Sequence, residues 1–327
     1  MRYVSNNDIT DPRLNLALEE YLLRHVQLDE PLLLFYINEP SVIIGRHQNT
    51  IEEIDPDYIK ANNVHVIRRV SGGGAVYHDL GNLNFSFITN DQANLHNFAK
   101  FTEPVVTVLQ NLGMPATLEG KSDIVVDGKK ISGNAQYASK GRMFSHGTIL
   151  FDTSIEHMLH ALNPRQTKIE SKAVQSVRSF VTNVHDYLPA DYTILDLKQA
   201  ILDRIFGAAG VSAYEVDAAG WEKVRQIATA KYETWDWNYG RSPTFNVRKD
   251  NQLPVGKIDL RINVVRGVID DLKIYGTFFS HRDIIDLEKQ LIGIRYERDA
   301  LANALNKIDL TSFFGNIDQE TFLELLY

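Results

Sequence analysis

Arg68-Arg69-Val70-Ser71-Gly72-Gly73-Gly74-Ala75-Val76-Tyr77-His78-Asp79 closes a strand with two cations and then removes three side chains in a row. Where no Cβ intervenes, backbone N–H groups can close around an anion or a slender ligand. Val64-His65-Val66-Ile67 before it is β-branched and short, and Asn84-Phe85-Ser86-Phe87-Ile88-Thr89 after it alternates, which predicts the glycines between these two strands. A polar loop carried on a rigid sheet is a good place for chemistry. Taken alone, the run is more often an ordinary glycine-rich hairpin turn than a ligand loop, so a second segment is needed to choose.

Asp123-Ile124-Val125-Val126-Asp127-Gly128-Lys129-Lys130-Ile131-Ser132-Gly133-Asn134-Ala135 is that segment. Asp-Gly between β-type residues predicts a two-residue type I′ hairpin, with Lys130 just past the turn. Alternation sets Lys129 and Lys130 on opposite faces and Lys130 beside Ser132. A lysine in a strand is more often a solvated edge charge. Its pairing with the glycine loop favours the catalytic reading.

Together these segments resemble the lipoate-protein ligases, whose hallmarks are an Arg-Arg-x-Ser-Gly-Gly-Gly-Ala-Val-[Phe/Tyr]-His-Asp loop and a Lys-[Ile/Val]-Ser-Gly-[Asn/Ser]-Ala strand. Further matches follow in the family's order over roughly the first three quarters of the chain: Asn15 to Glu20, Val42 to Asn49, Ser145 to Leu150, Ser176-Val177-Arg178-Ser179, and Trp235-Asp236-Trp237-Asn238-Tyr239-Gly240. The resemblance implies an ATP-dependent ligase that makes lipoyl adenylate and passes the acyl group to one lysine of an acceptor. The implied acceptors are apo lipoyl domains of 2-oxoacid dehydrogenase complexes and the glycine-cleavage carrier protein.

The same resemblance assigns site residues. Lys130 is the charged clamp on carboxylate and α-phosphate. Asp123 either holds Mg²⁺ at the triphosphate or orients the acceptor lysine; a simple strand-start hydrogen bond is the alternative. Arg69, Gly74, Ala75, Val76, Tyr77 and Arg178 join Lys130 around ATP. Arg69, Ser71, Gly72, Gly73, His78, Lys130 and Gly133 line the lipoate site, in an otherwise apolar tunnel. Val70 and Tyr137 depart from the pattern. Tyr137 stands where some relatives carry a basic residue near the ligand, so preference among lipoate, octanoate and lipoamide stays open. Two rivals remain: a biotin ligase, for which no Gly-Arg-Gly-Arg type loop is found, and a non-catalytic lipoyl or fatty-acid binding protein.

Composition narrows the classes. A chain of 327 residues exceeds one growing core, so two domains are expected. A net charge of −8 argues against general nucleic-acid binding. No run approaches the roughly 20 apolar residues of a membrane helix, and Met1 to Asp11 has no signal-type core, so a cytoplasmic protein is expected; a monomer is the separate expectation for its assembly. The chain has no cysteine, which removes disulfides and any acyl transfer through a protein thiol.

Asp11 as N-cap and Pro12 predict a first helix with Leu14, Ala17, Leu18, Tyr21 and Leu22 on its inner face. Strands are expected at Leu32 to Ile37 and Ser41 to Ile44, and helices at Pro56 to Asn62 and Phe101 to Leu112. A meander turning at Asp127-Gly128 and Lys140-Gly141 closes with Met143 to Phe151. Hairpins without regular βαβ alternation indicate an α+β fold with a mixed, largely antiparallel sheet. By resemblance it is a biotin/lipoate protein ligase-like catalytic domain over 1–244. A small α/β accessory domain follows over 245–327, with strands at Lys257 to Val264 and Val268 to Tyr275. Its helices are expected at Arg282 to Ile292, Tyr296 to Ile308 and Gln319 to Leu326.

Overall fold

The computed structural model describes residues 1–27, 29–48, 50–162, 180–239 and 247–327. Its contacts divide into two units. One comprises Met1–Ile43, Ile51–Arg68 and Val76–Asn238; the other comprises Ile44–Thr50, Arg69–Ala75 and Tyr239–Tyr327.

An eight-stranded sheet forms the first unit. Its order is β11 (Ala213–Tyr214), β1 (Arg2–Val4), β2 (Leu32–Ile37), β6 (Asn82–Thr89), β10 (Arg142–Leu150), β9 (Lys129–Ser139), β8 (Asp123–Val126) and β7 (Ala116–Glu119). β1 is parallel to both neighbours, and every pair from β2 to β7 along the sheet is antiparallel. β6 shows how the alternation is used. Leu83, Phe85 and Phe87 enter a core with Leu33, Phe35, Phe101, Val105 and Leu197, each such side chain contributing roughly 2 kcal/mol on burial. Asn82, Asn84 and Ser86 occupy the opposite face and are buried as well.

The glycine run does not join β4 to β6. A separate small sheet sets β3 (Ser41–Ile44) between β4 (His65–Arg68) and β5 (Val76–His78), and the run connects β4 to β5. With only three residues, β5 is too short for alternation to show in the sequence.

Local chemistry sets the remaining boundaries. The helix Pro12–His25 begins where Asp11 accepts from the Arg13 N–H at 2.9 Å. Ala17, Leu18 and Leu22 are buried as expected, Leu14 and Tyr21 only partly, and the polar Asn15, Glu19 and Glu20 are buried too. This helix packs on the sheet and on the helix Ala218–Ile227, so more than one stripe is enclosed. Asp127-Gly128, Lys140-Gly141 and Arg266-Gly267 all have positive φ at both positions, as type I′ hairpin turns require.

The second unit carries β12 (Val247–Leu253), β13 (Gly256–Val265) and β14 (Val268–Gly276) in an antiparallel sheet. The helices Ile284–Leu291, Arg298–Leu305, Thr311–Phe314 and Gln319–Leu326 accompany it. Ile258, Leu260, Ile262, Leu287, Leu301 and Phe322 share its core. β12, read as Val-Arg-Lys-Asp-Asn-Gln-Leu, lacks apolar alternation and is defined only by pairing with β13. Among the described residues no helix is long and apolar enough to cross a membrane.

Candidate active site

Asp123, Lys130 and Gly133 come together on β8 and β9. Asp123 pairs with Gly133 and Ile124 with Ser132, then the register skips Ile131 so that Val125 faces Lys130. This bulge resets the alternation, and Lys130 does not share a face with Ser132. It reaches over Gly133, where an added Cβ would stand 3.2 Å from both Cε and Nζ. The Lys130 ammonium lies 3.0 Å from Asp123 Oδ1, the two side chains 41% and 40% exposed. Ser132 is buried and accepts from Asn134 Nδ2 at 3.1 Å. The Lys130 backbone is pinned separately: its N–H donates to the Phe180 carbonyl at 2.8 Å, and its own carbonyl accepts from the Thr182 N–H at 3.2 Å.

An ion pair this exposed adds about 0–1 kcal/mol to stability. Lys130 can therefore exchange Asp123 for an incoming anion at little cost to the fold.

The glycine loop is braced from within. Arg69 is buried; its Nε donates to Ser71 Oγ at 3.1 Å, and Nη2 donates to the carbonyls of Gly72 at 2.7 Å and Gly74 at 2.8 Å. Its charge thus turns loop carbonyls inward. The Arg69 N–H donates to the Ile44 carbonyl, and the Arg46 N–H to that of Ser71, both at 2.9 Å. A Cβ on Gly45 would collide with the Gly73 carbonyl, and one on Gly72 with the Phe278 carbonyl. Gly73 has φ +93°, whereas Gly74 is exposed with open space around it. His47 stacks on Phe278 at 4.6 Å, and Arg46 pairs with Asp283 at 2.9 Å.

Ala75 leads into β5, where Val76 is half-buried and Tyr77 and His78 are buried. Asn38 Nδ2 donates to His78 Nδ1 at 2.9 Å. Burial, with Asp79 nearby, pushes the Tyr77 hydroxyl well up, so it stays protonated at neutral pH. Burial also raises the Asp79 carboxyl, although it accepts from the N–H groups of Ser154 and Gly81. Arg178 lies outside the described residues.

Comparison with known proteins is decisive for the family. Residues 11–206 match the lipoyl protein ligase A/B catalytic domain, and residues 242–326 match the bacterial lipoate protein ligase C-terminus. The chain belongs to the lipoate-protein ligase family. It is 50% identical over 331 residues to the lipoate-protein ligase of Bacillus subtilis (strain 168), and 46% identical over 327 residues to lipoate–protein ligase 1 of Staphylococcus aureus, each alignment covering 100% of both chains. The crystal structure of P. falciparum LipL1 in complex with lipoate superposes with TM-score 0.80 at 25% identity, covering 99% of this chain and 97% of that one. A lipoate-protein ligase A bound with ATP gives TM-score 0.60 at 31% identity over 73% of this chain and 98% of that one. The chain is thus an enzyme of the ligase class with the biotin/lipoate ligase-like fold.

Several side-chain contacts escaped the sequence reading. Thr148 Oγ1 accepts from the Gly133 N–H at 3.2 Å. Glu19 meets His146 Nδ1 at 2.9 Å in the interior, 127 residues away along the chain. Glu19 and His146 both stood inside quoted motifs, but only burial shows that they form a pair. His157 and His160 both engage Tyr58: His157 through the Tyr58 hydroxyl and His160 by stacking at 5.2 Å. Among the described residues, no group of three His, Asp or Glu side chains is placed to hold a metal ion.

Proposed function

We propose that this ligase joins lipoate to ATP around Lys130 and then passes the lipoyl group to a lysine of an apo lipoyl domain. In the first step a carboxylate oxygen of lipoate attacks the α-phosphorus of ATP; the P–O bond to the β-phosphate breaks, and pyrophosphate leaves with its electron pair. In the second step the neutral ε-amine of the acceptor lysine attacks the acyl carbon, AMP departs, and the amine proton goes to solvent or a base.

The observation that carries this reading is the half-exposed Lys130 ammonium held over Gly133 by one replaceable carboxylate. Charge builds on the carboxylate and phosphoryl oxygens at the same point, and a fixed cation there lowers the barrier most. Lys130 acts as a clamp and not as a nucleophile. Gly133 gives it room. Gly74 to Tyr77 run along the nucleotide, and Ser71, Gly72, Gly73 and His78 face the lipoyl chain. Arg69 serves both ligands by bracing the loop, and Arg178 completes the ATP site.

Asp123 fits a Mg²⁺ ion that takes its other ligands from phosphate oxygens and water, since Mg²⁺ commonly uses one or two carboxylates. When bound, the ion would neutralise triphosphate charge. Tyr137 does not share the carboxylate with Lys130: seven residues along one strand is roughly 23 Å, and its hydroxyl is occupied by Arg24 Nη2 at 2.9 Å.

The proposed acceptors are lipoyl domains of 2-oxoacid dehydrogenase complexes and the glycine-cleavage carrier protein, and the protein is read as a cytoplasmic monomer with a catalytic domain over 1–244 and an accessory domain over 245–327. A solution mass of two chains would overturn the monomer. The central test is the intact mass of an apo lipoyl domain incubated with the protein, lipoate, ATP and Mg²⁺. An ATP-dependent lipoyl adduct, lost in Lys130→Ala, is expected. An adduct made equally well by Lys130→Ala would remove Lys130 from the mechanism. With octanoate as competitor, the same assay reads acyl preference.

A further inference from the structure

Arg68 stands immediately before the glycine loop, and four hydrogen bonds tie its backbone and side chain to a short helix far along the chain, Trp235–Asn238. The Arg68 N–H donates to Asn238 Oδ1 at 3.0 Å, and its carbonyl accepts from Trp237 Nε1 at 2.7 Å. Its guanidinium donates to the carbonyls of Trp237 at 3.0 Å and Asn238 at 3.3 Å. Both backbone groups and the side chain of one residue are thus bound by two neighbours.

The holding pair is itself fixed. Asn238 Nδ2 donates to the Tyr232 carbonyl at 2.7 Å, at the end of a π-helical turn, Ala228–Tyr232. Such turns carry an extra residue and are frequent beside functional sites. Lys231 lies 4.1 Å from the Trp237 ring centroid while binding Glu20 of the first helix at 2.8 Å. Glu20 also accepts from the Tyr232 hydroxyl at 2.7 Å and from Arg24. A chain of contacts runs from Glu20 through Lys231 and Trp237 to Arg68.

We infer that Trp237 and Asn238 are positioning residues for the glycine loop: by gripping Arg68 on both sides of its Cα, they set the direction in which the chain enters Arg69, and hence where the loop's N–H groups meet the nucleotide. This rests on the ligase reading above, because it assigns the loop to ATP. Arg68 is then an anchor and not a ligand. The tryptophan-rich motif acquires a function in the site although its own side chains need not touch substrate.

The test is lipoate-dependent exchange of labelled pyrophosphate into ATP by the full chain, with thermal melts of each variant. Trp237→Phe keeps a ring under Lys231 but loses the donor to the Arg68 carbonyl. It is expected to raise the KM for ATP about tenfold, the effect of one buried hydrogen bond, with kcat within about twofold and melting close to the parent. Asn238→Asp, which still accepts from the Arg68 N–H, is expected to retain a lower KM for ATP than Asn238→Ala. Unchanged KM for ATP in Trp237→Phe and Asn238→Ala, or losses that follow only the folded fraction, would overturn the inference while leaving the ligase reading intact. No exchange by the unaltered protein would overturn the ligase reading, and this inference with it.

Discussion

Gly128 and Gly72 stand in the two motif-bearing segments of the chain, yet a methyl group on each would meet different surroundings. At Gly128 there is open space within 4 Å, and glycine is needed because φ is +71°. At Gly72 the methyl would strike the Phe278 carbonyl. The hairpin that carries Lys130 is therefore specified by its own dipeptide. The glycine loop is specified by what packs on it, from the Arg69 guanidinium to Gly45 and Phe278. The first turn is set by local geometry; the second depends on segments distant along the chain.

The hardest break of this contrast is Gly45→Ala or Gly72→Ala. Both add a methyl against backbone that cannot swing away, and each is expected to cost about 3 kcal/mol, read as a lowered midpoint in chemical denaturation. Near-parental stability in either would show that the loop yields easily. Gly133→Ala separates activity from folding, because the atoms its methyl meets are the flexible end of Lys130. A drop of about tenfold in adenylation is expected with less than about 0.5 kcal/mol of destabilisation, the range of an uncrowded substitution; full activity would mean that the lysine's resting place is irrelevant.

Gly128→Ala tests the local half. With φ at +71°, the cost is expected near 1 kcal/mol, without change in KM for either substrate. Smallest of all is Gly74→Ala, in open space at ordinary φ. Its stability should stay within about 0.5 kcal/mol of the parent, and any rise in KM for ATP would then report the nucleotide lying against this residue. An unchanged KM would move the nucleotide elsewhere along the loop.

Legibility in the sequence followed the same division. Asp11-Pro12, Asp127-Gly128, Lys140-Gly141 and Arg266-Gly267 each contain their own geometric instruction, and the elements they bound were read nearly residue for residue. The bulge at Ile131 was not legible, since Lys130-Ile131-Ser132 alternates normally as letters. It changed which face Lys130 uses. The position of β5 beside β3 was equally hidden, because three residues carry too little period to assign a partner. The direction of Arg69 depended on carbonyls that turn toward it only in the folded loop.

By itself the sequence determined the turns, the helix starts, the core-facing residues of long strands and, through two motifs, the chemistry of a ligase. These rest on short-range steric and hydrogen-bonding preferences that act within a few residues. Only the tertiary structure decided that Lys130 leans over Gly133 toward Asp123, that Arg69 binds its own loop, and that Arg68 is held by Trp237 and Asn238. Those arrangements join groups whose partners are set by strand register and packing across the chain, which no local stretch encodes.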